Sequence, residues 1–195
     1  MQKQLQIKLK DKAIYIEERA EKKMEQKTNI KQIENFHIPR WEELPNIDLY
    51  VDQVICFLDE FLSDYVCIEK EGHVLTKTMI NNYVKHSVIP PAIKKKYNKE
   101  HIAYLFVICI LKQLYSINDI AKLIKIAVET APVEQYFNTF CEELENAISQ
   151  VFEGKEIKRE KEIEQKRYAL NRVVYSFANK LYVDKVYLNK FSNSG

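Results

Sequence analysis

The chain has 195 residues, of which 46% are hydrophobic, and its 30 basic and 28 acidic side chains leave a formal net charge of +2. This composition can fill the core of one domain with appendages and excludes a polycationic binder, so any site for a polyanion must be local. With 3 glycines and 5 prolines, a β-sandwich and a glycine-rich nucleotide-binding enzyme are also disfavoured. We expect a mostly α protein.

Residues 1–35 are predicted to form a charged N-terminal extension. Apolar residues recur at helical spacing from Leu9 to Met24, which indicates a thin amphipathic helix. An oligomerisation arm, a partner-binding helix and a frayed tail are all consistent with this pattern.

Three features indicate a cytoplasmic protein without a membrane partner. The N-terminus is charged throughout and shows no signal-peptide pattern. The most apolar run, Ile102 to Leu111, has about half the length of a membrane span. The cysteines form no Cys-x-x-Cys pair, so we expect reduced, buried thiols rather than a disulfide or metal site. They are Cys56, Cys67, Cys109 and Cys141.

An extended arm and a first helix are predicted next. Pro39 and Pro45 flank the single tryptophan, Trp41, which we expect to anchor the arm on the core. Helical spacing of apolar residues from Val51 to Tyr65 then predicts an amphipathic helix. The acids off its apolar stripe predict a solvated face: Asp52, Asp59, Glu60 and Asp64.

The stretch from Gly72 to Lys99 holds six lysines and no acidic residue. Within it, Thr76 is a predicted N-cap of a helix that ends near His86, and Asn98 is a predicted cap of the next helix. A positive segment in a nearly neutral chain is typical of a phosphate-contacting surface, although a solvated lysine face gives the same pattern.

The segment MINNYVKHSVIPP, followed by a basic arm and YNKEHIAYL, resembles the MerR-type winged helix-turn-helix. The resemblance implies that the helix from Thr76 to His86 enters the DNA major groove, with Lys77, Asn81 and Asn82 at base edges. Asn81 stands where the family usually has arginine, and Ser87 where it has a turn glycine. The implied phosphate contacts are Thr76, Lys85, Lys94, Lys95, Lys96 and Tyr97.

A second resemblance covers residues 36 to about 130. The motifs HIPRWEELP, DLYVDQV, LTKTMINNYVK and PPxxKKKY together are similar to the bacterial family called domain of unknown function 1836. We therefore divide the chain into the extension 1–35, a winged helix-turn-helix domain 36–130 and C-terminal helices 131–195.

The C-terminal helices carry apolar residues at seven-residue intervals, which is typical of a helix–helix seam. We expect a homodimer, although packing within the chain and a tyrosine-rich ligand pocket remain open alternatives. The dimer-seam candidates are Val174, Tyr175, Leu181, Tyr182 and Leu188.

The sequence lacks a phosphate-binding loop, a dinucleotide fingerprint, a zinc-protease motif and a nucleophile elbow. We expect no enzyme activity, no metal and no cofactor. The predicted function is sequence-specific binding of double-stranded DNA in transcription regulation. A protein-interaction adaptor on a winged-helix fold is the alternative, and a small-molecule effector, whose identity is unknown, is compatible with either.

Overall fold

The computed structural model describes Ile33 and residues 36–69, 72–129, 131–154 and 165–188, with only the helical backbone for 165–167. Apart from Ile33, the predicted N-terminal extension lies outside the described residues. Within them the chain is mostly helical, as predicted. In order, the elements are a 3₁₀ turn (Trp41–Glu43), β1 (Leu49–Tyr50), α1 (Val51–Leu62), α2 (Lys77–Lys85), β2 (Lys96–Tyr97), α3 (Lys99–Leu111), α4 (Ile117–Val128), α5 (Val133–Phe152) and α6 (Gln165–Val186).

Helix α3 forms the centre of the core, as its apolar sequence predicts. Asn98 caps it, because its Oδ1 accepts a hydrogen bond from His101 N at 3.1 Å. From His101 to Leu111 every residue except Tyr104 is buried. The Phe106 ring lies about 6 Å from the rings of Phe57 and Phe61 on α1 and of Phe137 on α5. This aromatic cluster joins three helices around one residue.

A two-stranded antiparallel ladder connects distant parts of the chain. Leu49 pairs with Tyr97, and Tyr50 pairs with Lys96. Since β1 leads directly into α1, and β2 into α3 through Asn98, the ladder fixes the starts of both helices beside each other.

Helices α5 and α6 pack along each other and run in the same direction. The Asn171 amide donates to Glu143 at 3.0 Å, the Tyr175 hydroxyl donates to Gln150 at 2.5 Å, and the Tyr182 ring contacts Phe152. A single hydrophobic cluster extends from Ile33 to Leu181, so α5 and α6 share the core of α1 to α4.

The arm at residues 36–44 is held on α5 by polar contacts. The Arg40 guanidinium donates to both carboxylate oxygens of Glu145, at 2.9 and 2.5 Å, and Ile38 N donates to the same carboxylate at 3.0 Å. Trp41 N donates to Asn138 Oδ1 at 2.8 Å, and the Trp41 ring packs against the core. Trp41 is thus an anchor of the arm, as predicted.

The cysteine prediction is wrong for half of the thiols. Cys109 and Cys141 are buried, and burial raises the pKa of each to about 12. Cys56 and Cys67 are exposed. Cys56 lies four residues after Asp52 and four before Glu60, so it belongs to the exposed face of α1 rather than to its apolar stripe.

Candidate nucleic-acid interface

Helix α2 starts where its sequence predicts. Thr76 Oγ1 accepts a hydrogen bond from Met79 N at 3.2 Å, which makes Thr76 the N-cap. Thr76 is only 9% exposed. Its hydroxyl is therefore occupied as a cap, and Thr76 belongs to the scaffold of the site rather than to its surface.

One side of α2 is polar and faces solvent. Ile80 and Tyr83 are buried, while Thr78, Asn81, Asn82 and Lys85 are exposed at helical spacing. Within the described part of the chain, neither Asn81 nor Asn82 hydrogen bonds through its side chain to protein. The amides of both residues are thus available to a partner.

Helix α2 ends in a Schellman motif with an unusual residue at its left-handed position. Val88 N donates to Tyr83 O at 2.9 Å, and Ser87 N donates to Val84 O at 3.0 Å. Ser87 has a φ of +55°, a conformation that glycine adopts at much lower cost. The expectation that Ser87 occupies a turn suited to glycine is confirmed.

The lysine triplet forms the tip of a very short hairpin. Ile93 and Lys96 exchange two backbone hydrogen bonds of 3.0 and 2.9 Å across the two-residue loop Lys94-Lys95. Both loop residues have positive φ, +50° and +63°, as in a type I′ turn. Two consecutive lysines in this conformation are strained, and both side chains point into solvent.

The two residues after the loop are more enclosed. Lys96 is half-buried, and its Nζ lies 5.1 Å from the centre of the Tyr50 ring. Tyr97 is 6% exposed, its ring contacts His101, and burial raises its pKa. Tyr97 therefore packs beneath the hairpin as part of its scaffold, and its phosphate contact stays a prediction.

An ion pair that sequence reasoning missed brings the start of α2 close to the hairpin. Lys77 Nζ lies 2.6 Å from Asp52 Oδ1 in the first turn of α1. Asp52 follows Tyr50 by two residues, and the Tyr50 ring contacts Lys96. Lys77 and Lys96 therefore flank the start of α1. Nothing in the sequence signals this pair, because the partners are 25 positions apart.

The segment before α2 is pinned by Asp59, which we predicted to lie on a solvated face. Its carboxylate accepts hydrogen bonds from Val74 N at 2.7 Å and contacts His73 Nδ1 at 2.5 Å. From α3, Lys112 Nζ donates to Val74 O at 2.7 Å. These contacts fix the residues that lead into the Thr76 cap.

The dimer-seam candidates divide into two groups. Val174, Tyr175 and Leu181 are buried within the single chain, as the alternative of internal packing requires. Tyr182 is half-buried against Phe152, and Leu188 is 54% exposed. The homodimer stays a prediction.

The described residues offer neither a metal site nor a membrane span. No group of three or more His, Cys, Asp or Glu side chains in this part of the chain is arranged to hold a metal ion. No helix among these residues is long and apolar enough to cross a membrane.

Residues 39–146 match the model of the family described as Domain of unknown function (DUF1836). The match covers more than half of the 195 residues, so the chain belongs to this family, as its motifs predict. The matched segment contains the whole candidate interface and ends inside α5. No curated protein and no solved structure matches the chain.

Proposed function

We propose that this protein binds double-stranded DNA sequence-specifically and regulates transcription, with α2 in the major groove and the 93–96 hairpin as a MerR-like wing. The observation that carries the proposal is the shared location of two basic elements. The contacts Lys77–Asp52 and Tyr50–Lys96 bring the start of α2 and the base of the hairpin to the same end of α1.

The proposed base contacts come from the polar face of α2. Asparagine amides pair with adenine through its N6 and N7 atoms, and lysine binds guanine O6 or N7. Asn81, Asn82 and Lys77 supply these groups, while Lys85 supplies a phosphate contact one turn further along.

The proposed wing contacts come from Lys94 and Lys95. Their positive φ values hold two ammonium groups at an exposed hairpin tip at a cost in backbone strain. Asn-Gly would fit this turn with less strain, so the two lysines supply charge at a cost in stability. Thr76 and Tyr97 support this surface from beneath.

The test replaces the strained turn by one that favours the same backbone. Lys94→Asn with Lys95→Gly removes two charges and supplies the preferred type I′ pair, so the fold is retained. We expect the slope of log affinity against log salt, measured by fluorescence anisotropy with a duplex, to flatten by about 2.

The control removes a charge from α6, where Arg172 is exposed and its guanidinium lies over the Tyr168 ring. Arg172→Gln should leave the slope close to that of the wild type. Equal slopes for the wild type and the hairpin variant would show that Lys94 and Lys95 do not contact DNA phosphates.

A protein-interaction adaptor is the second candidate function. The observation that favours it is the Asp52 carboxylate, which partly neutralises Lys77 on the surface that would face DNA. Folded protein without any preference among duplex sequences would make the adaptor the leading interpretation.

A further inference from the structure

A second site candidate lies away from the proposed DNA surface. A cavity of about 460 Å³ opens between α4, α5 and α6, and no residue from Thr76 to Tyr97 lines it. Its apolar walls include Val107, Leu123, Phe140 and Leu170, which come from four different helices. This volume lies within the range of pockets that enclose small organic molecules.

Polar groups enter the cavity from one face of α5. Thr139 donates its hydroxyl to Gln135 O at 2.9 Å, and Glu143 accepts from Asn171 at 3.0 Å, so both side chains are already engaged. The Tyr136 hydroxyl has no hydrogen-bond partner among the described residues, and burial raises its pKa to about 12. It remains a protonated hydroxyl on an apolar wall.

Among the described residues, the charged side chains that line the cavity are Glu142 and Glu143, and both are acidic. Glu142 is exposed, lines the cavity, and makes no ion pair within the described part of the chain. No described side chain that lines the cavity is basic. A carboxylate beside an aromatic ring and an apolar floor favours a positively charged guest over an anionic one.

We propose that this cavity binds a small amphipathic organic cation, with its apolar body against Phe140 and Leu170 and its charged group beside Glu142. The Tyr136 ring and hydroxyl would contact the guest at the boundary between these two parts. The site joins α4 to α6, so it is independent of the α2 surface, and the proposal does not rest on DNA binding.

The experiment uses three probes that share one apolar body and differ in charge. They are phenylbutyltrimethylammonium, phenylbutanol and phenylbutanesulfonate, each titrated calorimetrically into the full chain up to about 5 mM. We expect the cation to bind about two- to fivefold more tightly than the alcohol, and the sulfonate to bind most weakly.

Two substitutions and a control locate the binding. Glu142→Gln should abolish the preference for the cation and leave the alcohol unchanged. Glu60→Gln, at an exposed carboxylate on α1 that does not line the cavity, should change nothing. Ile126→Trp should block all three probes. Ile126 is 49% exposed at the mouth, so this change spares the core.

Gln135→Trp, also at an exposed lining position, is the second blocking variant if Ile126→Trp is poorly folded. Circular dichroism and a thermal melt establish folding. Absence of saturable binding by any probe, equal binding of cation and alcohol, or binding that survives in a folded blocking variant would overturn the proposal.

Discussion

The ion pair between Asp52 and Lys77 places a negative charge on the surface that we propose to face DNA. Their side chains are 68% and 57% exposed, so the ion pair contributes about 0.2–1 kcal/mol at most. A DNA phosphate that approaches Lys77 would displace the Asp52 carboxylate, and the new ion pair would have a strength similar to that of the old one. The carboxylate would still repel the polyanion from a few ångströms away.

Removal of this carboxylate should strengthen DNA binding. We expect Asp52→Asn to raise the affinity for duplex DNA about two- to fivefold at moderate salt, because Lys77 is released and the local repulsion disappears. Fluorescence anisotropy measures the change. Glu60→Gln, an exposed carboxylate on the same helix, is the control. An affinity at or below that of the control would place Lys77 outside the interface.

For single residues, the sequence predicted which side chains are exposed better than it predicted which residues contact each other. The spacing of Asn81, Asn82 and Lys85 on α2 is sufficient to predict that they face solvent. It cannot predict that Thr76 is buried as a cap, that Tyr97 lies under the hairpin, or that Asp59 receives Val74 N. These outcomes depend on contacts between distant segments.

At the end of α2 the backbone adopts a left-handed conformation that favours glycine, but the residue there is a serine. Ser87 holds a φ of +55° so that the chain can leave the helix and return Val88 to the core. We expect Ser87→Gly to raise the free energy of unfolding by about 1 kcal/mol, because glycine adopts this conformation without the left-handed penalty. Urea denaturation followed by circular dichroism measures it.

The control for this substitution is Ser176→Gly, which places glycine at an exposed position inside α6. There the same change should lower the free energy of unfolding by about 0.5 kcal/mol. A loss of stability in both variants would mean that the Ser87 side chain makes a contribution larger than the strain.

Element ends were predictable where the signal is local. Thr76, Asn98 and Ser116 cap helices through hydrogen bonds to residues three positions later, and Gly154 ends α5 with a φ of +66°. The β1–β2 ladder was not predictable, since two strands of two residues each carry no periodic pattern. The end of α1 was also predicted wrongly: the helix ends at Leu62, whereas the apolar spacing predicted an end near Tyr65.

For the whole molecule, Glu145 connects the arm to α5 and so helps to close the common core. Burial alone would raise its pKa, but the hydrogen bonds from Arg40 and Ile38 N lower it below the usual range. A carboxyl whose pKa is lowered by folding stabilises the protein above its unfolded pKa, and this stability is lost as pH falls through the folded pKa.

Glu145→Gln tests this contribution to stability, and Glu134→Gln on the exposed side of α5 is the control. We expect Glu145→Gln to lower the free energy of unfolding by about 1–3 kcal/mol at pH 7. The difference from the wild type should begin to shrink as pH falls below the ordinary pKa of an unfolded glutamate, about 4.3, and should go on shrinking as pH falls through the lower folded pKa. A difference independent of pH would assign the effect to packing rather than to charge.

The packing of α6 shows that a heptad pattern does not determine whether its partner lies in the same chain or in a second copy. Seven-residue recurrence predicted a seam, and Val174 and Leu181 do lie in one, but the structure provides a partner within the same chain. A pattern of apolar spacing specifies that a face will be covered without specifying by what.

We propose that α2 and the hairpin read duplex DNA, and the first experiment is selection of duplexes from a randomised pool by the full chain at near-physiological salt. We predict enrichment of one motif, with relaxed preference at a single position in the Asn81→Ala variant. An inverted repeat would also support the homodimer. A pool that remains random after repeated selection by folded protein would contradict the claim.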